Sequence, residues 1–187
     1  MTPPKAFSEP LSFTITFLRG ATISGSADML GTINANGQSF SRLTLSFKSL
    51  TMTGSGFSFK LTGLLSWGYD YASSSETVTM NMVLADQPSG LTHWFRNYEI
   101  QSSYGNGYTT QTISGRYYNP GNGYLDIVSQ IPLVINNGDS MPSEGQLQFL
   151  GENGSWARIN FMPNSLMIEV DSDGDGVADW QVESATN

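Results

Sequence analysis

Asp171, Asp173, Asp175 and Asp179 place four carboxylates within nine residues, and Gly176 directly follows the third of them. Counted from Asp171, acids stand at positions one, three, five and nine with glycine at six, the spacing at which a loop wraps oxygen ligands around a calcium ion. Four carboxylates this close repel one another unless a cation sits between them, whereas a plain turn needs only one or two acidic residues. The chemistry implied is cation binding. Nothing else in the chain offers reaction chemistry of comparable specificity.

The segment resembles the calcium loop of the EF-hand, in the abbreviated form found in dockerins and thrombospondin type 3 repeats, over residues 171–182 only. The resemblance implies a Ca²⁺ ion held by side-chain oxygens of Asp171, Asp173 and Asp175, by the main-chain carbonyl of Val177, and by Asp179 directly or through water, with Gly176 supplying the bend. Position twelve departs from the pattern: Val182 stands where such loops place a bidentate carboxylate, and Glu183 comes one residue later. The flanks depart too, because Leu166-Met167-Ile168-Glu169-Val170 and Trp180-Gln181-Val182 read as strands rather than helices. The expectation is a β-hairpin whose turn is organised by one ion, with a remote carboxylate or water completing the shell. Its affinity is expected on the order of 10⁻⁴ to 10⁻³ M, as in extracellular modules, with a stabilising rather than a signalling role.

A second chemistry is recognition. All eight tyrosines lie between Tyr69 and Tyr124, together with Trp67 and Trp94 and among many Asn, Gln, Ser and Thr residues. Tyr and Trp suit half-wet positions, stacking on sugar C–H groups or a partner's apolar groups while amides orient hydroxyls. The candidates nearest turns are Trp94, Tyr104, Tyr108, Tyr117, Tyr118 and Tyr124; cross-strand aromatic pairing is the alternative use of the same residues. Catalysis has little to draw on. The single histidine, His93, is expected in a loop, and no glycine-flanked serine elbow or phosphate loop is present. Glu99 and Asp126, on expected strands, are the least ordinary acids for a paired-carboxylate glycosidase, so no catalytic residue is assigned.

The elements that must position these residues are strands. Period-two alternation runs through Leu11, Phe13, Ile15 and Phe17, through Leu43, Leu45 and Phe47, through Phe57, Phe59 and Leu61, through Leu65, Trp67, Tyr69 and Tyr71, and through Val78, Met80, Met82 and Leu84. It resumes at Leu125, Ile127, Ile131, Leu133 and Ile135 and in three short runs from Leu147 to Val170. Asn36-Gly37, Gly105-Asn106-Gly107, Asn119–Gly123, Asn153-Gly154 and Met162-Pro163-Asn164 punctuate them as turns. The pattern predicts one all-β domain over residues 11–183, an antiparallel meander of roughly eleven strands closing into a β-barrel or a two-sheet sandwich. Residues 1–10 are expected as a flexible arm.

Composition limits partners. Charged residues are 13% of 187, there is no cysteine, and lysine occurs only at positions 5, 48 and 60. The net charge is −8, and from Glu169 to Glu183 six acids meet no Lys or Arg. Nucleic acid and anionic membrane are poor partners for such a chain, and no apolar run is long enough for a transmembrane helix. A Lys-poor surface with a weak calcium loop suits a secreted or envelope-associated protein whose leader has been removed. The expected function is a non-catalytic, calcium-stabilised extracytoplasmic domain binding glycan or protein at a cell surface. Behind it stand a barrel-type carrier of a small apolar ligand and a glycoside hydrolase using paired carboxylates.

Overall fold

A computed structural model describes residues 5–16, 20–34 and 39–185; Phe17 and the Asn36-Gly37 turn lie outside them. Among the described residues twelve strands form one antiparallel sheet in strict chain order. They are β1 (Lys5–Thr16), β2 (Thr22–Ile33), β3 (Phe40–Gly54), β4 (Phe57–Asp70), β5 (Ser75–Asp86) and β6 (Thr92–Tyr104). After these come β7 (Tyr108–Asn119), β8 (Gly123–Asn136), β9 (Glu144–Leu150), β10 (Trp156–Met162), β11 (Ser165–Asp171) and β12 (Trp180–Ala185). A single-turn 3₁₀ helix, Glu152–Gly154, joins β9 to β10. Among the described residues β1 pairs only with β2 and β12 only with β11, so the sheet is not closed.

Three expectations are corrected. The strand count rises from about eleven to twelve. The runs at Phe57–Leu61 and Leu65–Tyr69 belong to the single strand β4, with Tyr71 in the turn beyond it, while the Gly- and Ser-containing segment Thr22–Ile33, with no clean alternation, is a strand because it pairs along its length with β1 and β3. Residues 5–10, expected as part of a loose arm, are the first half of β1. Pro10 is compatible with this because β1 is an edge strand, where a missing N–H breaks no ladder.

Register assigns the two faces. Leu43, Leu45 and Phe47 of β3 oppose Trp67, Leu65 and Gly63 of β4, and those oppose Val78, Met80 and Met82 of β5. The apolar face continues through Ile100 and Ile113, Leu125 and Ile127, Leu147 and Phe149, and Ile159 and Ile168. The opposite face carries hydroxyls, amides and charge, as in the row Thr44, Ser66, Thr79, Glu99 and Ser114. Alternation therefore separates a mainly apolar face from a mainly polar one, with Leu30, Leu64, Val83 and Leu150 as apolar residues on the polar side.

Bulges interrupt the ladders at matching places. β3, β5, β6 and β8 each carry an irregularity, and the positive-φ glycines Gly25, Gly63, Gly115 and Gly145 lie on the strands beside them. Bulges with facing glycines bend a sheet. The fully covered apolar side chains, Ala27, Leu50 and Leu133, include two that lie against those glycines: Leu50 beside Gly25 and Leu133 beside Gly145. The rest of the apolar face is half-covered. Accessible surface totals 11419 Å², against about 8,800 Å² for a compact monomer of this mass.

Candidate metal centre and ligand face

The β11–β12 hairpin carries the acidic loop. Asp171, the last residue of β11, is 1% exposed. Its Oδ1 accepts the Gly174 N–H at 2.7 Å and its Oδ2 accepts the Gly176 N–H at 2.8 Å. Both donors sit at positive φ, 79° and 91°, which folds the chain back over the carboxylate. Asp179 Oδ2 accepts from Ser172 N–H at 2.7 Å and Ser172 Oγ at 2.5 Å. These bonds, the Ser172 hydroxyl first, hold the Asp179 carboxyl below its ordinary pKa. The Asp179 N–H bonds the Val170 carbonyl at 2.8 Å and registers β12 on β11.

Asp171, Asp173 and Asp179 each present a carboxylate oxygen, all within 4.8 Å of one another. Asp175 Oδ1 instead accepts the Val177 N–H at 2.8 Å, and Val177 is exposed. So three of the four expected side-chain ligands converge and the fourth braces the loop. Val182 pairs with Ile168 on the apolar face, out of reach as a ligand, and Glu183 pairs with Met167 on the other. The convergent donors are all carboxylate oxygens, with a buried anion among them and only N–H and O–H groups as partners. Such a set could hold a metal ion, and all-oxygen donors suit hard cations.

The six aromatic candidates divide. Trp94, Tyr118 and Tyr124 stand in one cross-strand row on the polar face. The Trp94 and Tyr118 rings stack at 4.9 Å and 16°, and Tyr124 follows at 6.1 Å. Tyr117 lies on the apolar face, where its hydroxyl and His93 Nδ1 are 2.6 Å apart; His93 is in β6 rather than in a loop. Tyr104 and Tyr108 flank the far turn at Gly105–Gly107, and Tyr104 donates to Glu76 Oε2 at 2.8 Å. A one-residue step along a strand reverses the face, which is why neighbours Tyr117 and Tyr118 part company.

Arginines complete the row. Arg96 lies 5.4 Å over Trp94, Arg116 lies 3.7 Å over Tyr124, and Arg158 lies 4.9 Å over Trp156. Residue-type counting overlooked these pairs and Trp156. The signal was available in Trp94-x-Arg96, Arg116-x-Tyr118 and Trp156-x-Arg158, since residues two apart on a strand share a face. Arg116 grips Asp126 through two N–H···O bonds of 2.5 and 2.6 Å. Arg158 Nε and Asn160 Nδ2 both donate to Glu169 Oε2, at 2.9 and 2.8 Å. The guanidinium of Arg116 holds Asp126 below its usual pKa, so Asp126 is ionised at neutral pH and unsuited to act as a proton donor.

The acidic loop and the aromatic row lie at one end of the sheet. Arg96, Arg116, Asp126, Leu150, Trp156 and Asp171 occupy one continuous register row from β6 to β11. Loops touch in series there: Gly123 lies against the Glu152 side chain, and Gly154 of the 3₁₀ turn lies against Gly174 of the acidic loop. Comparison of the chain with family models, with curated proteins and with solved structures finds no match.

Proposed function

We propose that the chain is a non-catalytic, calcium-stabilised extracytoplasmic β-domain that binds glycan at a cell surface through its polar face. The observation that carries this is the Trp94–Tyr118–Tyr124 row, set among arginines on a face rich in hydroxyls, amides and charge. Val83, a short side chain, stands opposite Trp94 on β5, and Trp94 is 36% exposed. A part-exposed aromatic row beside ordered donors is the kind of surface sugar rings pack on. The calcium loop fixes β12 and the neighbouring turns, which a cysteine-free sheet with a half-covered face needs.

Affinity electrophoresis against a panel of soluble polysaccharides tests the assignment. Retardation by at least one polymer, lost in Trp94→Ala and in Tyr118→Ala while the melting temperature holds, is expected. Wild-type mobility unchanged across the panel would remove it. The metal is tested separately. At 10 mM Ca²⁺ a site of the expected strength contributes about 1.4–2.7 kcal/mol, or a rise of roughly 3–10 °C in Tm. The rise should be absent with Mg²⁺ and in Asp173→Ala. An equal response to both ions would remove calcium as the cofactor.

One observation favours a second function. The apolar face is continuous yet only half-covered, which suits a carrier that closes its sheet into a barrel around an apolar ligand. A lipid copurifying in native mass spectrometry would promote that function over the first.

A further inference from the structure

We propose that the cavity beside Arg96 is a carboxylate subsite, so that the preferred ligand is an acidic glycan bearing uronate groups. The proposal rests on the glycan function above and narrows it to a chemical class. The cavity measures about 550 Å³ and is lined by Arg96, Asn97, Gly115, Arg116, Asp126 and Ile127. It lies at the bulge where β6 and β7 lose register between Arg96 and Glu99. Asn97 takes φ 48° there and gives its N–H to Asn81 Oδ1 at 2.8 Å. Gly115 makes room opposite, since a Cβ on it would stand 2.6 Å from the Tyr98 Cα.

Arg96 is left unpaired at this cavity, as Lys5, Arg42 and Lys60 are elsewhere among the described residues. Lys48 pairs with Asp28, Arg116 with Asp126 and Arg158 with Glu169. Among the described residues Arg96 has no carboxylate within 4 Å; it meets only the Trp94 ring and the Tyr118 hydroxyl, the latter at 3.5 Å. Glu99, the nearest acid along β6, accepts from Gln101 Nε2 at 2.8 Å and does not line the cavity. With Arg116 neutralised by Asp126, the cavity carries one net positive charge on a chain of −8. That is a local reversal of sign.

A guanidinium leaning on an indole spends its π-face and keeps its in-plane N–H fork for an acceptor. A planar carboxylate matches that fork with two parallel bonds. The part-exposed Trp94–Tyr118 row lies beside that fork, so one sugar can pack against the row while its carboxylate, or that of the next unit, meets Arg96.

The test is titration calorimetry with glucuronoxylan and with the same polymer after its carboxyls are reduced to alcohols, at constant Ca²⁺. Wild type should bind the acidic polymer roughly tenfold or more tighter than the reduced one. Arg96→Gln should abolish that preference, so that the acidic polymer binds no tighter than the reduced one. Trp94→Ala should weaken both. If Arg96→Gln fails to fold, Arg96→Lys, which keeps the charge and loses the fork, should cut the preference severalfold. In wild type the preference should also shrink as NaCl is raised. Equal affinity for the two polymers, untouched by Arg96→Gln, would overturn the acidic subsite and leave the glycan function standing. Binding to neither polymer, nor to any other neutral or acidic glycan, would overturn both.

Discussion

Glu169 shows what the polar face does at the scale of one residue. Its side chain is only 14% exposed, and its Oε2 takes bonds from Arg158 and Asn160. Hydrogen bonding to Arg158 holds its pKa below the usual glutamate value, and Arg116 does the same for Asp126. Both folded-state values are depressed, so each group contributes stability that is present above the unfolded value of about 4 and is lost as pH falls through the lower folded value. Glu169→Gln should therefore lower stability by about 1 kcal/mol at pH 6. The gap to wild type should close as the pH falls toward 3. Urea midpoints for both proteins across that range check it, and a gap that stays constant would show that the carboxylate charge is not what matters. At this scale the sequence was only partly legible. The acidic spacing located Asp171, Asp173 and Asp179, but it could not separate Asp175, whose oxygen turns to the Val177 N–H. Likewise Tyr117 and Tyr118 look alike until register puts them on opposite faces.

Elements differ in how firmly they are held, and the loops at the acidic-loop end couple three of them. β12 is an edge strand with every residue exposed, joined to the body through β11 and the Asp171–Asp179 loop. Calcium should raise amide protection chiefly in β12 and in the 3₁₀ turn that touches Gly174, and leave β1, at the other edge, unchanged. Hydrogen exchange with and without Ca²⁺ reads this directly; uniform protection across both edges would contradict a local brace. The bulge at Gly115 makes a sharper case. With φ 143° and backbone atoms of β6 within 3.0 Å of the place a Cβ would take, Gly115→Ala should cost about 2–3 kcal/mol in chemical denaturation. A loss under 0.5 kcal/mol would mean the bulge relaxes freely. Strand existence was legible where apolar residues alternate. β2 was not, because the pairing of Gly25 and Gly31 with β1 and β3 is tertiary, and the bulges were not, because a glycine in a strand does not say which neighbour is displaced.

At the scale of the whole molecule, strict chain-order pairing makes the sheet a one-dimensional stack in which each strand depends on its two neighbours. Antiparallel order followed from short turns, but closure could not be read, because it depends on twist and curvature accumulated over twelve strands rather than on any local pattern. The consequence is thermodynamic. An unfolded chain of this mass exposes about 29,000 Å², so folding removes roughly 18,000 Å² from water instead of the roughly 20,600 Å² of a compact monomer. The urea m-value, which scales with that change, should fall about an eighth below the norm for the length. Apolar surface that stays accessible on one face should also bind an anilinonaphthalene sulfonate dye in the native state, a property that compact monomers rarely have. The dye signal should saturate in Ca²⁺ buffer well below the unfolding temperature, with sharp near-ultraviolet dichroism retained, which separates an open native sheet from a molten one. Absence of dye binding, together with a normal m-value, would mean that the face is covered in solution, by closure of the sheet or by another chain, and the open sheet would no longer describe the folded protein.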